Sequence, residues 1–267
     1  MTNWQQISSD SNRRFKAWLQ LLESRGIRSQ SRFLVAGRKT IVEALRDHTG
    51  EIEAIIICKA HRPQIEDLLH HAKSAISVFE LTVPLFRKLN TLGVDSPYLV
   101  CRLPNISAWE PKPKEGGLQL LCPLGNPLNV GNLVRTAAAF KVDAFVLLQE
   151  SAFPFHPKAV RAASGGIWNL RFFQGPSIHE LPGLPIQGIT LDIQGCDLTA
   201  HQWDRHSIAL VGEEGPGVPP SLKDWTKVTI TQATNVESLN APTAAAIALF
   251  TYRTQYPLSA TRGLARG

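Results

Sequence analysis

Three short stretches carry residue types and spacings that could do chemistry. The first is NPLNVGNLVRTAAAF, Asn126 to Phe140. Asn129 and Asn132 bracket Gly131 just after a strand-like run, and Arg135 follows six residues after Asn129. If the segment between them is helical, that is about one and a half turns. Arg135 then projects near the helix's N-terminal turn, where backbone N–H groups also face an anion. The same residues also read as an Asn cap, a Gly turn and a surface arginine. The second stretch is LVGEEGPGVP, Leu210 to Pro219. Glycines after a strand allow a ligand to approach the backbone closely. The loop has no Gly-Lys-Ser/Thr and does not match the dinucleotide fingerprint. With Glu213 and Glu214 it suits a cationic centre, or amine and hydroxyl donors, better than a phosphate. The third is VESLNAPTAAAIALF, Val236 to Phe250. Asn240 is a good N-cap and Pro242 falls in the first helical turn. Capping accounts for Asn240 but not for Ser238, nor for a helix built from Ala244, Ala245 and Ala246.

The elements that position these loops follow from periodicity. Phe15, Trp18, Leu19 and Leu22 share a face, which predicts a helix over 11–25 with Gly26 as its stop. RFLVAGRKTIVEALRD reads as a strand, a Gly turn and a helix through Ile41, Val42 and Leu45. IEAIIIC is a buried strand, RPQIEDLLHHAKS a helix, ISVFEL a strand and TVPLFRKLN a helix. From residue 118 onward, LQLLCPL, DAFVLLQ, GITLDI, SIALVG and KVTIT read as strands, with HPKAVRAASGG and PTAAAIALFTYRT as helices. Alternating strands and helices predict α/β architecture with a largely parallel sheet. The division is a basic helical extension at 1–30, a small α/β domain at 31–103, a Pro/Gly-rich linker at 104–117 and a second α/β domain at 118–267.

Composition narrows the class. The chain has 267 residues and a net charge of +6. Residues 1–40 hold Arg13, Arg14, Lys16, Arg25, Arg28, Arg32, Arg38 and Lys39 against Asp10 and Glu23, so the whole net charge sits there. Such a local excess suits a polyanion such as RNA, with Arg13, Arg14, Lys16, Arg38 and Lys39 as the contact candidates; a solvated basic helix is the plainer account. The four cysteines (Cys58, Cys101, Cys122 and Cys196) form no CxxC pair and no zinc-spaced cluster, so no metal is expected. They read as reduced thiols of a cytoplasmic protein. No apolar run is long enough to span a membrane, and no apolar leader is visible.

Taken together, the three stretches resemble the SpoU (TrmH-like) family of RNA ribose 2′-O-methyltransferases, part of the SPOUT superfamily. The resemblance rests on Asn129-Val130-Gly131-Asn132-x-x-Arg135-Thr136, Gly212-Glu213-Glu214-Gly215-x-Gly217 and Glu237-Ser238-Leu239-Asn240, and on HPKAVRAASGGIWNL between the first two. It covers essentially all of residues 118–253. More loosely, RFLVAGRKTIVEAL is similar to the L30e-like substrate-binding domain that precedes this domain in many members, with Ala36 where the family often has a glutamate. After Asn240 the family often continues Val-Ser, whereas this chain has Ala241-Pro242-Thr243.

The resemblance implies a C-terminal domain with a deep trefoil knot, an exception to the rule that chains do not thread loops. It implies S-adenosylmethionine held around Leu210, Val211, Gly212, Gly215, Ile230 and Leu239. It implies a homodimer in which the arginine of one subunit lies near the cofactor of the other. The catalytic set carried over is Asn129, Arg135, Glu214, Ser238 and Asn240. Arg135 would stand at the ribose 2′-OH, as a base helped by an RNA phosphate or as a clamp on that phosphate; guanidinium ordinarily stays protonated. The expected substrate is rRNA, with tRNA as the close alternative and a non-catalytic RNA-binding or ribosome-assembly protein as the reading from another class.

Overall fold

The structure, a computed structural model, describes residues 4–69, 76–111, 117–233 and 238–258. In chain order its elements are β1 (Trp4–Ile7), α1 (Arg13–Gln20), α2 (Ser24–Gln30), β2 (Arg32–Ala36), α3 (Arg38–Asp47), β3 (Ile52–Cys58), α4 (Arg62–Leu69), β4 (Ser77–Leu81), α5 (Val83–Leu89) and β5 (Tyr98–Arg102). There follow β6 (Ser107–Ala108), β7 (Gln119–Cys122), α6 (Pro127–Ala139), β8 (Ala144–Leu147), α7 (Pro157–Ala163), β9 (Phe172–Gln174), β10 (Ile189–Asp197), β11 (Ile208–Leu210), β12 (Thr226–Thr229) and α8 (Ala241–Gln255). The fold is α/β. Its residue contacts form two compact units: Met1–Ser107 with Leu124–Arg135 and Ser151–Asn169, and Ala108–Pro123 with Thr136–Glu150 and Leu170–Gly267. Leu124–Arg135 and Ser151–Asn169 lie beyond the sequence boundary at 118 yet pack with the first unit.

The first unit is built on a mixed five-stranded sheet in the order β1-β4-β3-β5-β2. The β-branched run of β3 is buried and occupies the centre, parallel to β4 and antiparallel to β5. The stretch 1–30, expected as a helical extension, also supplies the edge strand β1, paired parallel with β4. The single helix expected over 11–25 is two helices. Asn12 caps α1 by accepting from the amides of Arg14 and Phe15, and α1 ends at Gln20, so Leu21 rather than Leu22 is fully buried. Gly26 is not a stop; it lies inside α2, where a Cβ would sit 2.0 Å from the Gln20 carbonyl oxygen. It is glycine because the two helices touch there. Of the helix expected from RPQIEDLLHHAKS, the part after Leu69 lies outside the described residues.

The second unit holds a seven-stranded sheet in the order β12-β10-β11-β7-β8-β9-β6. Every described pairing from β12 across to β9 is parallel. The strands β7, β8 and β11 are buried throughout, as apolar runs in parallel sheets are. Trp109, Leu121, Val146, Ile208, Leu222 and Trp225 lie in one core cluster. β10 outlasts its expected hexapeptide: after a register shift between Leu191 and Cys196 it pairs with β12 again through Cys196 and Asp197.

The helix α6 starts earlier than the sequence suggested. Asn126 provides the cap, its Oδ1 accepting from the Leu128 amide and its carbonyl from Val130, and Pro127 takes the first position, where its missing N–H costs little. Gly131 is therefore a mid-helix residue and not a turn. A Cβ on it would lie 2.3 Å from the Ala159 carbonyl oxygen and 2.6 Å from the Ala162 Cβ, both on α7. The Gly131→Ala variant should lose about 1–3 kcal/mol in urea unfolding, despite the roughly 1 kcal/mol that alanine gains in a helix. Gly50→Ala, where the new Cβ meets nothing within 4 Å, should stay within about 0.5 kcal/mol.

Candidate active site

Parallel pairing puts the ends of β11, β10 and β12 on one edge of the second sheet. Adjacent strands lie about 4.8 Å apart, so the loops leaving β11 and β12 flank β10 at that edge. At the end of β11, Leu210 and Val211 are buried, at 0% and 1% exposure. The chain then closes a narrow loop: the Glu213 amide donates to the Gly217 carbonyl at 2.9 Å, and the Gly217 amide to the Glu213 carbonyl at 3.1 Å. Gly215 and Gly217 have φ of +94° and +75°, which favours glycine at both. Glu214 is exposed on this loop, whereas the Glu213 carboxylate is largely covered and lies 3.9 Å from the His179 imidazole.

The loop after β12 is tied to the far half of β10. Thr231 donates its hydroxyl to Asp197 Oδ2 at 2.8 Å, the Leu198 amide donates to the Thr229 carbonyl, and Thr229 donates to the Ile193 carbonyl. The hydroxyls of Thr199 and Thr231, with the Thr199 amide, hold the Asp197 carboxyl below the ordinary carboxylate range. Ile230 is half-buried in this loop. The Gln232 carboxamide oxygen is buried and has no hydrogen-bond partner among the described residues, an orphan that calls for a ligand donor or a water. Neither Asp197 nor Gln232 was singled out from sequence. The only signal was a polar pair, Thr231-Gln232, at the end of the expected strand KVTIT.

The third stretch opens α8. Asn240 Oδ1 accepts from the Thr243 amide at 2.9 Å, and Pro242 occupies the first turn, buried. The far end of this helix is fixed. Arg253 donates to the carbonyls of Phe140 and Lys141, Tyr252 to that of Arg205, and Gln255 both accepts from the Trp203 amide and donates to the His201 carbonyl. Residues 201–206 lead into the start of β11, so the C-terminal end of α8 is pinned at the opposite edge of the sheet. Ser238 and Asn240 are exposed and Leu239 is half-buried; Glu237 lies outside the described residues.

The second unit thus holds Leu210, Val211, Gly212, Gly215, Ile230, Leu239, Glu214, Ser238 and Asn240, while Asn129 and Arg135 belong to the first. On α6, Arg135 is exposed and shares a face with Leu128 and Asn132, at i−7 and i−3; Asn129 is half-buried, roughly 120° around the helix. The expectation that Arg135 stands at the helix N-terminus is corrected: it is the ninth residue of α6, because the helix begins at Pro127. Arg135 therefore stands away from the first-turn amides. The basic candidates Arg13, Arg14, Lys16, Arg38 and Lys39 are all exposed in the first unit, with Arg14 stacked over Phe79. A cleft of about 800 Å³ opens at the starting edge of the second sheet, among Pro185, Gly188, Asp204 and Trp225. It contains none of the candidate residues. No group of three or more His, Cys, Asp or Glu among the described residues could hold a metal ion, and no helix among them is long and apolar enough to cross a membrane.

Residues 120–250 match the SpoU rRNA Methylase family. The chain belongs to the SpoU family. It is 38% identical, over 93% of its length, to the Ribosomal RNA small subunit methyltransferase G 2 of Syntrophobacter fumaroxidans. It spans only 49% of that protein, so half of what bears that name has no counterpart in this chain. It is 26% identical to the 23S rRNA (guanosine(2553)-2'-O)-methyltransferase RlmP of Bacillus subtilis, covering 93% of this chain and 99% of that one. The AdoMet-bound rRNA methyltransferase of Sinorhizobium meliloti superposes with a TM-score of 0.78 at 22% identity, over 96% of this chain and 99% of that one, which shows a shared fold.

The cap and any contact of this SpoU chain with substrate can be separated at Asn240. Asn240→Ala should cost about 1 kcal/mol in thermal or urea unfolding, whereas Asn240→Ser, which keeps a capping oxygen, should stay within a few tenths of wild type.

Proposed function

We propose that the chain is an S-adenosylmethionine-dependent RNA ribose 2′-O-methyltransferase acting on ribosomal RNA. The observation that carries this reading is the edge of the second sheet where the parallel strands β11, β10 and β12 end, with the Gly loop of the family's second motif leaving β11. The donor set fits the cofactor: buried Leu210 and Val211 leading to Gly212, the Gly215 turn, half-buried Ile230 and Leu239, and the unpartnered oxygen of Gln232. These residues would hold it chiefly through backbone amides and carbonyls. When bound, S-adenosylmethionine supplies an electrophilic sulfonium methyl. The Bacillus relative, matched over nearly its whole length, is named for 2′-O-methylation of rRNA.

The protein's task is to align a ribose hydroxyl and take up its proton. Arg135 is the essential cation at that hydroxyl, and its fork geometry suits a bidentate grip on the adjoining phosphate. Glu214, exposed on its loop, is placed to accept hydrogen bonds from a ribose or from a guanidinium. Because the oxygen of Asn240 is committed to the Thr243 amide, its NH2 group is what it offers to RNA, beside the Ser238 hydroxyl. Asn129 adds a further neutral donor and acceptor.

The reading extends to three features. The second unit carries the trefoil knot, supported by a strand order in which β11 lies between β7 and β10. The active form is a homodimer that brings Arg135 of the partner subunit to the cofactor. The first unit is the L30e-like RNA-binding domain, with Arg13, Arg14, Lys16, Arg38 and Lys39 on the polyanion.

Mapping of 2′-O-methyl sites in rRNA and tRNA from cells with and without the gene tests the reading. One rRNA site should disappear; loss at a tRNA site moves the substrate, and no change at all removes the enzyme assignment. Arg135→Ala should abolish methyl transfer while calorimetry shows nearly unchanged S-adenosylmethionine affinity; equal loss of both would make the residue structural. Asp197→Ala should weaken cofactor affinity several-fold, because it releases Thr231 and the loop carrying Ile230.

A further inference from the structure

A different arrangement of reactive groups lies in the first unit. Cys58 ends β3 and is 8% exposed. Its Sγ lies 3.6 Å from His61 Nδ1, and His61 Nε2 lies 3.2 Å from Asp95 Oδ1. His61 is 2% exposed, whereas the Asp95 side chain is 92% exposed. One imidazole therefore joins the sulfur of a buried cysteine to a carboxylate in water. Nδ1 also accepts the Cys58 backbone N–H at 3.3 Å. An accepting Nδ1 leaves the ring proton on Nε2, from where it is donated to Asp95.

The sulfur is engaged from the other side as well. Cys58 Sγ accepts the His61 backbone N–H at the start of the turn Lys59–His61, which runs directly into α4. Oxygen side chains are the usual caps at such a place, and a neutral thiol is a weak acceptor. A backbone donor, a helix start and an adjacent imidazole are together the surroundings in which cysteine becomes a nucleophile. The ring is held by Phe86, packed edge-on with centroids 4.9 Å apart. Cys101 is fully buried, and burial pushes its thiol far up. Cys122 is buried, and exposed Cys196 points its thiol at the Lys227 carbonyl at 3.5 Å.

We propose that Cys58 is a reactive thiol that undergoes thiol–disulfide exchange with small-molecule disulfides, with His61 as its base and Asp95 as the group that orients that base. The thiol proton passes to His61 Nδ1, and the imidazolium keeps its Nε2–H on Asp95. The Cys58 thiolate attacks one sulfur of the disulfide, whose S–S bond breaks. The departing thiolate takes the proton from His61 and leaves as a free thiol, and Cys58 remains as a mixed disulfide. The disulfide is the oxidant, and no other co-reactant is needed. The site stands apart from the methyltransferase reading and does not depend on it.

The test uses the folded chain of 267 residues at pH 7 with excess oxidised glutathione, read by peptide mass spectrometry and by release of free thiol. One adduct should form on Cys58, with one equivalent of thiol released, faster than on exposed Cys196. His61→Asn should slow the reaction roughly tenfold or more, the scale of a general base. If that buried substitution unfolds the chain, Asp95→Asn at its exposed position decides in the same way, by slowing adduct formation with the fold retained. Modification of Cys196 ahead of Cys58, or a Cys58 rate unchanged by the deciding substitution, overturns the proposal.

Discussion

Parallel hydrogen bonding between β11, β10 and β12 is the constraint on which the rest of the second unit depends. Strands that run the same way end on the same side, so loops from distant parts of the sequence are delivered to one edge. Leu210 and Thr229 are nineteen positions apart in the chain, yet only one strand separates them in the sheet. Nothing in the Gly loop or in the Thr231-Gln232 pair would make a ligand site by itself. The sheet makes them neighbours, and the hydrogen bonds from Thr229 and Thr231 back to β10 hold them in place. The helix α8 is fixed through its far end. Arg253, Tyr252 and Gln255 tie its last turn to the carbonyls of Phe140, Arg205 and His201.

Much of this was legible in the sequence, for reasons that differ from element to element. β3 was visible because a β-branched run buried on both faces has few alternatives. α8 was visible from its cap and its proline. The three motifs were legible as an ordered set, and they fall in the stretch that matches the SpoU family. What was misread shares one cause. Gly26 and Gly131 look like punctuation in a linear chain, but both serve contacts with segments elsewhere, Gln20 in one case and α7 in the other. A glycine that admits a neighbouring backbone cannot be told from one that turns its own without the partner in view. The early start of α6 followed from the same error, since reading Gly131 as a turn hid the cap at Asn126. β1 escaped notice because a four-residue edge strand, mostly exposed, carries almost no alternation.

On the proposed function, the two units divide the chemistry. Positive charge is concentrated in the first, while the backbone-rich loops and exposed Glu214 belong to the second. A long polyanion and a small cationic sulfonium ask for opposite electrostatics, and one surface would serve either poorly. The pair formed by Cys58 and His61 adds a third setting within the same chain, built where a strand gives way to a helical turn.

The cap on α8 has an electrostatic consequence. A helix start ordinarily offers several unpaired amides and the positive end of its dipole, which together attract phosphate. Here the second residue of the helix is Pro242, which has no N–H, and the amide of the third, Thr243, is taken by Asn240 Oδ1. Of the first three positions only Ala241 keeps an amide to offer. The entrance of α8 is therefore a nearly closed port for anions. A nucleic-acid backbone arriving at this edge would find little to hold it in the main chain of α8, and would have to be gripped by a charged side chain brought there from elsewhere.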